Sequence, residues 1–164
     1  MTELVHLELA AVALLELDAP PLNLVTGELL VQLDAALGRL EDADPGDVRA
    51  VVLAGRGERA FSVGSNVKEF EDHRASGGRA RFELEARVAQ RLAGLPMPTV
   101  ASIEGSALGG GLEIALCCDL RVASERAQLG LPEVRLAVTP STGGTQRLPR
   151  IVGLAWAKEL LLTG

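Results

Sequence analysis

The sequence predicts an α/β fold, and three observations carry that prediction. Short apolar segments rich in Val, Leu and Ala alternate with longer segments of helical period. Turns bearing Gly, Pro and Asp separate them. The chain has 164 residues, 48% of them hydrophobic and 23% charged, enough for one domain with a substantial core. Aromatic residues are scarce, at 2%, so that core must be built mostly from Leu, Val and Ala.

Taken in order, residues 5–9 and 12–17 read as the strands of a hairpin across Ala10-Ala11, with the period blurred by Leu14-Leu15. Asp18-Ala19-Pro20-Pro21 is a breaker. Over residues 26–40 the apolar Leu30, Leu33, Leu37 and Leu40 fall three and four apart, on one face of a helix, with Thr26 as its N-cap. Asp44-Pro45-Gly46-Asp47 is a turn, and residues 48–54 form a buried strand through Val51-Val52-Leu53. After a loop, Phe61-Ser62-Val63-Gly64-Ser65-Asn66 is a short strand running into a glycine turn. Residues 71–78 are polar. A second amphipathic helix covers 79–92, with Leu84, Val88 and Leu92 four apart, and Gly94 and Pro96 stop it. Residues 98–104 form a strand. Gly109-Gly110-Gly111 then opens a short apolar helix. Residues 119–123 are a strand, and residues 128–133 lead into a turn or short helix with Pro132 at its first position. A loop over 139–144 precedes a helix from Thr145. No repeat or low-complexity tract divides the sequence, so residues 1–164 are expected to form a single domain.

Composition excludes several functions. The net charge of −6 and the few aromatic rings argue against a nucleic-acid binder. The N-terminus carries Glu3, His6 and Glu8 rather than a basic start and an apolar run, and no apolar stretch approaches a membrane span. A cytoplasmic protein without membrane or nucleic-acid partners is the expectation. Cys117 and Cys118 are adjacent in the apolar helix and read as buried thiols in a reducing compartment. His6 and His73 show no metal-ligand spacing to them and read as surface histidines, so no metal site is expected.

The stretch around the triple glycine is the most informative. Glycines at a helix entrance expose backbone N–H groups and let a ligand approach the main chain. Glu113 lies among Leu112, Ile114, Ala115 and Leu116, where burial of the anion is costly and should raise its pKa. The first glycine turn, Gly64-Ser65-Asn66, also follows a strand. One N–H from each turn could grip a single carbonyl oxygen if the fold brings them together. The plainer reading is two ordinary tight turns, and local spacing does not decide between them. Glu133, after Pro132, offers a second carboxylate. Alone, each acid suits the positive end of a helix dipole, whereas a pair in one water-excluding pocket could divide acid and base roles. The triple glycine is neither a phosphate-cradling loop, since no Gly-Lys-Ser/Thr follows, nor a dinucleotide fingerprint. No Gly-x-Ser-x-Gly elbow exists. Lys68 and Arg147 could hold an anion, although a solvated face is the simpler reading.

Five motifs in order resemble the crotonase superfamily, and enoyl-CoA hydratases in particular. They are Pro21-Leu22-Asn23-Leu24, the strand from Asp47 to Leu53, the turn from Phe61 to Phe70, the 105–119 segment, and Leu131-Pro132-Glu133 with Gly143-Gly144-Thr145-Gln146-Arg147-Leu148. The resemblance implies a crotonase (ClpP/crotonase-like) fold of repeated ββα units in a superhelical core. It implies that the N–H groups of Ser65 and Gly110 form an oxyanion hole for a thioester carbonyl. It implies that Glu113 and Glu133 are the catalytic acids. The turn at Val63, Gly64, Ser65 and Asn66 would meet the adenine end of coenzyme A through backbone carbonyls, with Lys68 near its phosphates. The implied reaction is reversible addition of water to a 2-enoyl-CoA, as in fatty acid metabolism, with coenzyme A carried by the substrate and no other cofactor. Alternatives are another acyl-CoA reaction of the superfamily (isomerisation, dehalogenation or decarboxylation) or a non-catalytic acyl-CoA-binding or assembly module. Three departures stand out. Asn66 replaces a common Asp and should preserve the turn. Ser141 and Thr142 occupy a loop that is usually smaller. The C-terminal helices that build a homo-oligomer (a trimer or dimer of trimers) and cover the acyl-CoA are lacking, which marks a fragment or a shortened member.

Overall fold

The computed structural model describes residues 2–44, 46–69 and 78–164. Pro45, Phe70 and residues 71–77, which include His73 and most of the polar stretch read over 71–78, lie outside the described residues. Strands β1 (Val5–Glu8) and β2 (Val12–Leu17) form the expected hairpin, pairing antiparallel. Helix α1 (Gly27–Glu41) follows, capped as its sequence predicts: the Thr26 hydroxyl accepts the Leu29 N–H at 3.1 Å. Leu30, Leu33, Leu37 and Leu40 are all buried on its inner face.

The remainder repeats one unit. Strands β3 (Ala50–Gly55) and β4 (Ala60–Ser62) precede helix α2 (Arg79–Ala93). Strands β5 (Thr99–Ile103) and β6 (Ser106–Leu108) precede α3 (Gly110–Ala115). Strands β7 (Leu120–Ala123) and β8 (Gln128–Gly130) precede a 3-10 turn (Pro132–Leu136) and α4 (Gly144–Thr163). The first strand of each pair joins a five-stranded sheet ordered β1-β2-β3-β5-β7, and the second joins a three-stranded sheet ordered β4-β6-β8. From β2 onward every pairing is parallel. The repetition belongs to the backbone and leaves no trace in the sequence.

The elements differ from the sequence reading in three places. The strand read over 98–104 is β5, but Gly105 (φ 73) then turns the chain into the smaller sheet, where β6 and β8 are strands within segments that the sequence reading gave to the glycine turn and to the approach to Pro132. A side chain at Gly105 would strike the Arg59 carbonyl, so the turn is packed against the loop before β4. In α4, Gly153 leaves helical geometry (φ 79, ψ 163) and divides the helix after its first two turns.

Between α1, α2 and the larger sheet lies a core of Leu, Val and Ala with Phe61 as its largest buried side chain. Asn23 is 0% exposed at positive φ (51) where the two sheets meet. Its Nδ2 donates to the carbonyls of Arg56 (3.0 Å) and Ala60 (2.9 Å), and its Oδ1 accepts from the Ala19 N–H (2.9 Å). Every polar atom of this buried amide is thereby satisfied.

Candidate active site

The two glycine turns meet. A side chain on Gly64 (φ 89) would lie 2.8 Å from the Leu108 carbonyl and 2.9 Å from the Gly110 nitrogen. Only a residue without Cβ allows the backbones to approach so closely. The Ser65 nitrogen is 3.7 Å from the point where a Gly110 Cβ would stand. A side chain at Gly111 would overlap the Ser62 carbonyl, so the start of α3 is seated directly on the end of β4. Each of the three consecutive glycines faces a different neighbour: Gly109 faces Glu133, Gly110 faces Ser65, and Gly111 faces Ser62.

The backbone on either side of Ser65 is fully engaged. The Gly64 N–H donates to the Ser62 hydroxyl at 3.2 Å, and that hydroxyl donates to the Asn23 carbonyl at 2.6 Å. The Gly64 carbonyl accepts from the Val25 N–H at 2.9 Å, and the Asn66 N–H donates to the Val25 carbonyl at 3.2 Å. Among the described residues none accepts the N–H of Ser65 itself. Val63 donates to the Leu22 carbonyl at 3.1 Å. Asn66 keeps the turn closed, as its short polar side chain predicts: Oδ1 accepts the Lys68 N–H at 3.2 Å. Lys68 is exposed.

Both acids border these turns. Glu113, 2% exposed on α3, accepts two N–H bonds on Oε1, from Thr142 at 2.8 Å and from Gly144 at 2.7 Å. Burial raises its carboxyl above the usual range; the two N–H bonds pull the other way, and the charges of Glu133 and Glu85 add to the rise. Glu133, on the 3-10 turn, is also raised by burial. Its Oε1 lies 3.3 Å from a Cβ position at Gly109, and its buried Oε2 has no hydrogen-bond partner among the described residues. A carboxylate oxygen buried without a partner is costly, and such atoms mark places where a ligand or water completes the structure. The cysteines are inert: burial pushes Cys117 up to about 11 and Cys118 to about 12, and the Cys117 thiol donates to the Glu113 carbonyl at 3.2 Å. No group of His, Cys, Asp and Glu among the described residues could hold a metal ion.

Residues 8–164 match the family model for enoyl-CoA hydratase/isomerase. The chain belongs to that family. It is 45% identical over 153 residues to the enoyl-CoA hydratase/isomerase YngF of Bacillus subtilis and 41% identical over 153 residues to the short-chain-enoyl-CoA hydratase of Clostridium acetobutylicum. Each match takes in 93% of this chain and 58% of the relative, so the chain spans under two thirds of these relatives. The crystal structure of an enoyl-CoA hydratase from Bacillus anthracis superposes with a TM-score of 0.92 at 37% identity, covering 99% of this chain and 63% of that one. DspI of Pseudomonas aeruginosa superposes equally well, at 0.92 and 34% identity, over 99% of this chain and 62% of its own. The crotonase fold implied by the sequence motifs is the fold observed.

Within this enoyl-CoA hydratase/isomerase core, several residues near the turns escaped the sequence reading. Ser62 and Val25 hold the 64–66 turn, yet each looks like an ordinary strand or loop residue. Arg81 and Glu85 are buried on α2. Their signal was present: opposite charges four apart, in line with Val88 and Leu92 on one helical face. Arg147 is a structural residue rather than a solvated one, donating to the Thr142 carbonyl at 3.0 Å. His6 is part-buried and bonded to Asp18 at 2.9 Å, which corrects its reading as a plain surface histidine.

Proposed function

We propose that this site adds water reversibly across the 2,3 double bond of a 2-enoyl-CoA thioester. The observation that carries the reading is the convergence of the 64–66 and 109–111 turns with two carboxyls, Glu113 buried and Glu133 half-buried. The N–H groups of Ser65 and Gly110 would grip the thioester oxygen. Negative charge grows there as the enolate forms, and fixed backbone dipoles stabilise it without reorganising. Glu113 and Glu133 would hold one water between them. With Glu113 ionised and Glu133 protonated at the start, Glu113 takes a proton from that water as its oxygen bonds to the β-carbon, and Glu133 gives its proton to the α-carbon; the reverse transfers release water. The unpartnered Oε2 of Glu133 supports a place for that water.

Coenzyme A enters as part of the substrate. The backbone at Val63, Gly64, Ser65 and Asn66 would meet its adenine, and exposed Lys68 would lie near its phosphates. A second family reaction, double-bond migration, is favoured by the hydratase/isomerase relatives and needs one acid rather than two. Purified protein should consume the enoyl absorbance of crotonyl-CoA. Glu133→Gln should lower that rate by about 10² to 10⁴-fold, the usual worth of a positioned acid or base. No hydration by folded protein, with turnover of a 3-enoyl-CoA, would replace hydration by isomerisation. Thioester binding without any turnover would make this a binding module.

A further inference from the structure

The proposed chemistry makes no use of a charged pair buried in α2. Arg81 is 9% exposed and Glu85 5%. The Arg81 guanidinium makes three separate bonds: Nε to Glu85 Oε1 at 2.8 Å, Nη1 to Glu69 Oε2 at 3.0 Å, and Nη2 to the Val25 carbonyl at 2.8 Å. Val25 is the residue whose N–H and carbonyl bracket Ser65 through Gly64 and Asn66. The second oxygen of Glu85 accepts the Ser141 hydroxyl at 3.3 Å, and the next residue, Thr142, donates its N–H to Glu113. One guanidinium therefore reaches the support beneath the Ser65 turn directly, and the loop holding Glu113 through one further carboxylate.

Stability does not explain the pair. Two charges leave water here, and apolar residues at 81 and 85 would extend the Val88 and Leu92 face without that cost. What a guanidinium adds is direction, since its planar fork fixes several acceptors at once and a lysine ammonium does not.

We propose that Arg81 is a positioning residue that sets the Ser65 N–H beside Gly110 by anchoring Val25, and that Glu85 and Ser141 tie this turn to the Glu113 loop. The placement of the turn stands on the geometry; only its catalytic consequence rests on the hydratase reading.

The test compares wild type with Arg81→Gln and Arg81→Lys, the latter keeping the charge and so the milder change. The first readout is amide hydrogen exchange of Asn66 without any ligand. Both variants should speed Asn66 exchange by about tenfold or more while Val51 and Leu53 in β3 stay protected, the pattern of a local opening. The second readout is the absorption band of a bound conjugated thioester, cinnamoyl-CoA, which moves to longer wavelength when its carbonyl accepts hydrogen bonds. In Arg81→Lys that displacement should shrink, and kcat on crotonyl-CoA should fall about tenfold, short of the roughly 10²-fold loss of a whole donor, with KM little changed. Ser141→Ala should lower kcat less. Unchanged Asn66 exchange in folded Arg81→Lys overturns the proposal, and so does equal acceleration at Val51 and Leu53, which marks general destabilisation. Faster Asn66 exchange in a protein that hydrates no thioester upholds the positioning role and removes the hydratase reading.

Discussion

Glu113 shows how one residue can be read before the fold is known. A carboxylate among Leu112, Ile114, Ala115 and Leu116 could be expected to sit buried with a raised pKa, and it does. Its partners could not be read, because Thr142 and Gly144 lie about thirty positions along the chain. The raised pKa has a consequence for stability. In the unfolded chain the carboxyl titrates near its ordinary 4.5, and the fold holds the proton to higher pH. The native state thus binds more protons over that interval, and wild-type stability falls as pH rises through it. Glu113→Gln has no proton to lose and can still accept both N–H bonds. Urea unfolding from pH 4.5 upward should show the variant gaining on wild type with rising pH, then a constant difference above the folded pKa. A constant difference across the whole range would mean that burial does not govern this carboxyl.

At the scale of elements, periodicity and caps performed well where packing is one-sided. Helix α1 has its predicted face and its predicted cap, and Thr26→Ala should cost about 1 kcal/mol in thermal or urea unfolding, with Thr26→Ser nearly neutral. Helix α2 was placed within a residue, but its buried face holds Arg81 and Glu85 as well as Val88 and Leu92. Arg81 and Glu85 are charged, so they interrupt the apolar spacing that marks a buried helical face. The strand read over 98–104 is β5, whereas β6 beyond it went unread, because the change of sheet depends on the Arg59 backbone against Gly105, a partner remote in sequence. The outer faces of β7 and α4 carry Leu120, Val122, Leu154, Trp156 and Leu162 well exposed, and no helix among the described residues is long and apolar enough to cross a membrane.

At the level of the whole molecule, the two sheets meet at the buried Asn23. Asn23→Ala would leave the carbonyls of Arg56 and Ala60 and the Ala19 N–H without their partner, at a cost of about 2–4 kcal/mol in urea unfolding. Loosening of Ser62 should follow, with lower activity even below the unfolding transition, as an enzyme assay against urea would show. A loss under about 0.5 kcal/mol, as at an ordinary surface site, would show that the joint is not needed. The α/β class, the inward face of α1, the glycine turns, the two carboxylates and, through five ordered motifs, the family are legible along the chain. These depend on local spacing and on residue chemistry, which the chain carries along its length. That Gly64 meets Gly110, that Val25 and Ser62 hold the turn between them, and that Arg81 reaches beneath it emerges only when the chain is folded. Those contacts join residues up to 56 positions apart, and the close approach of two backbones leaves no mark in a sequence except the absence of a side chain.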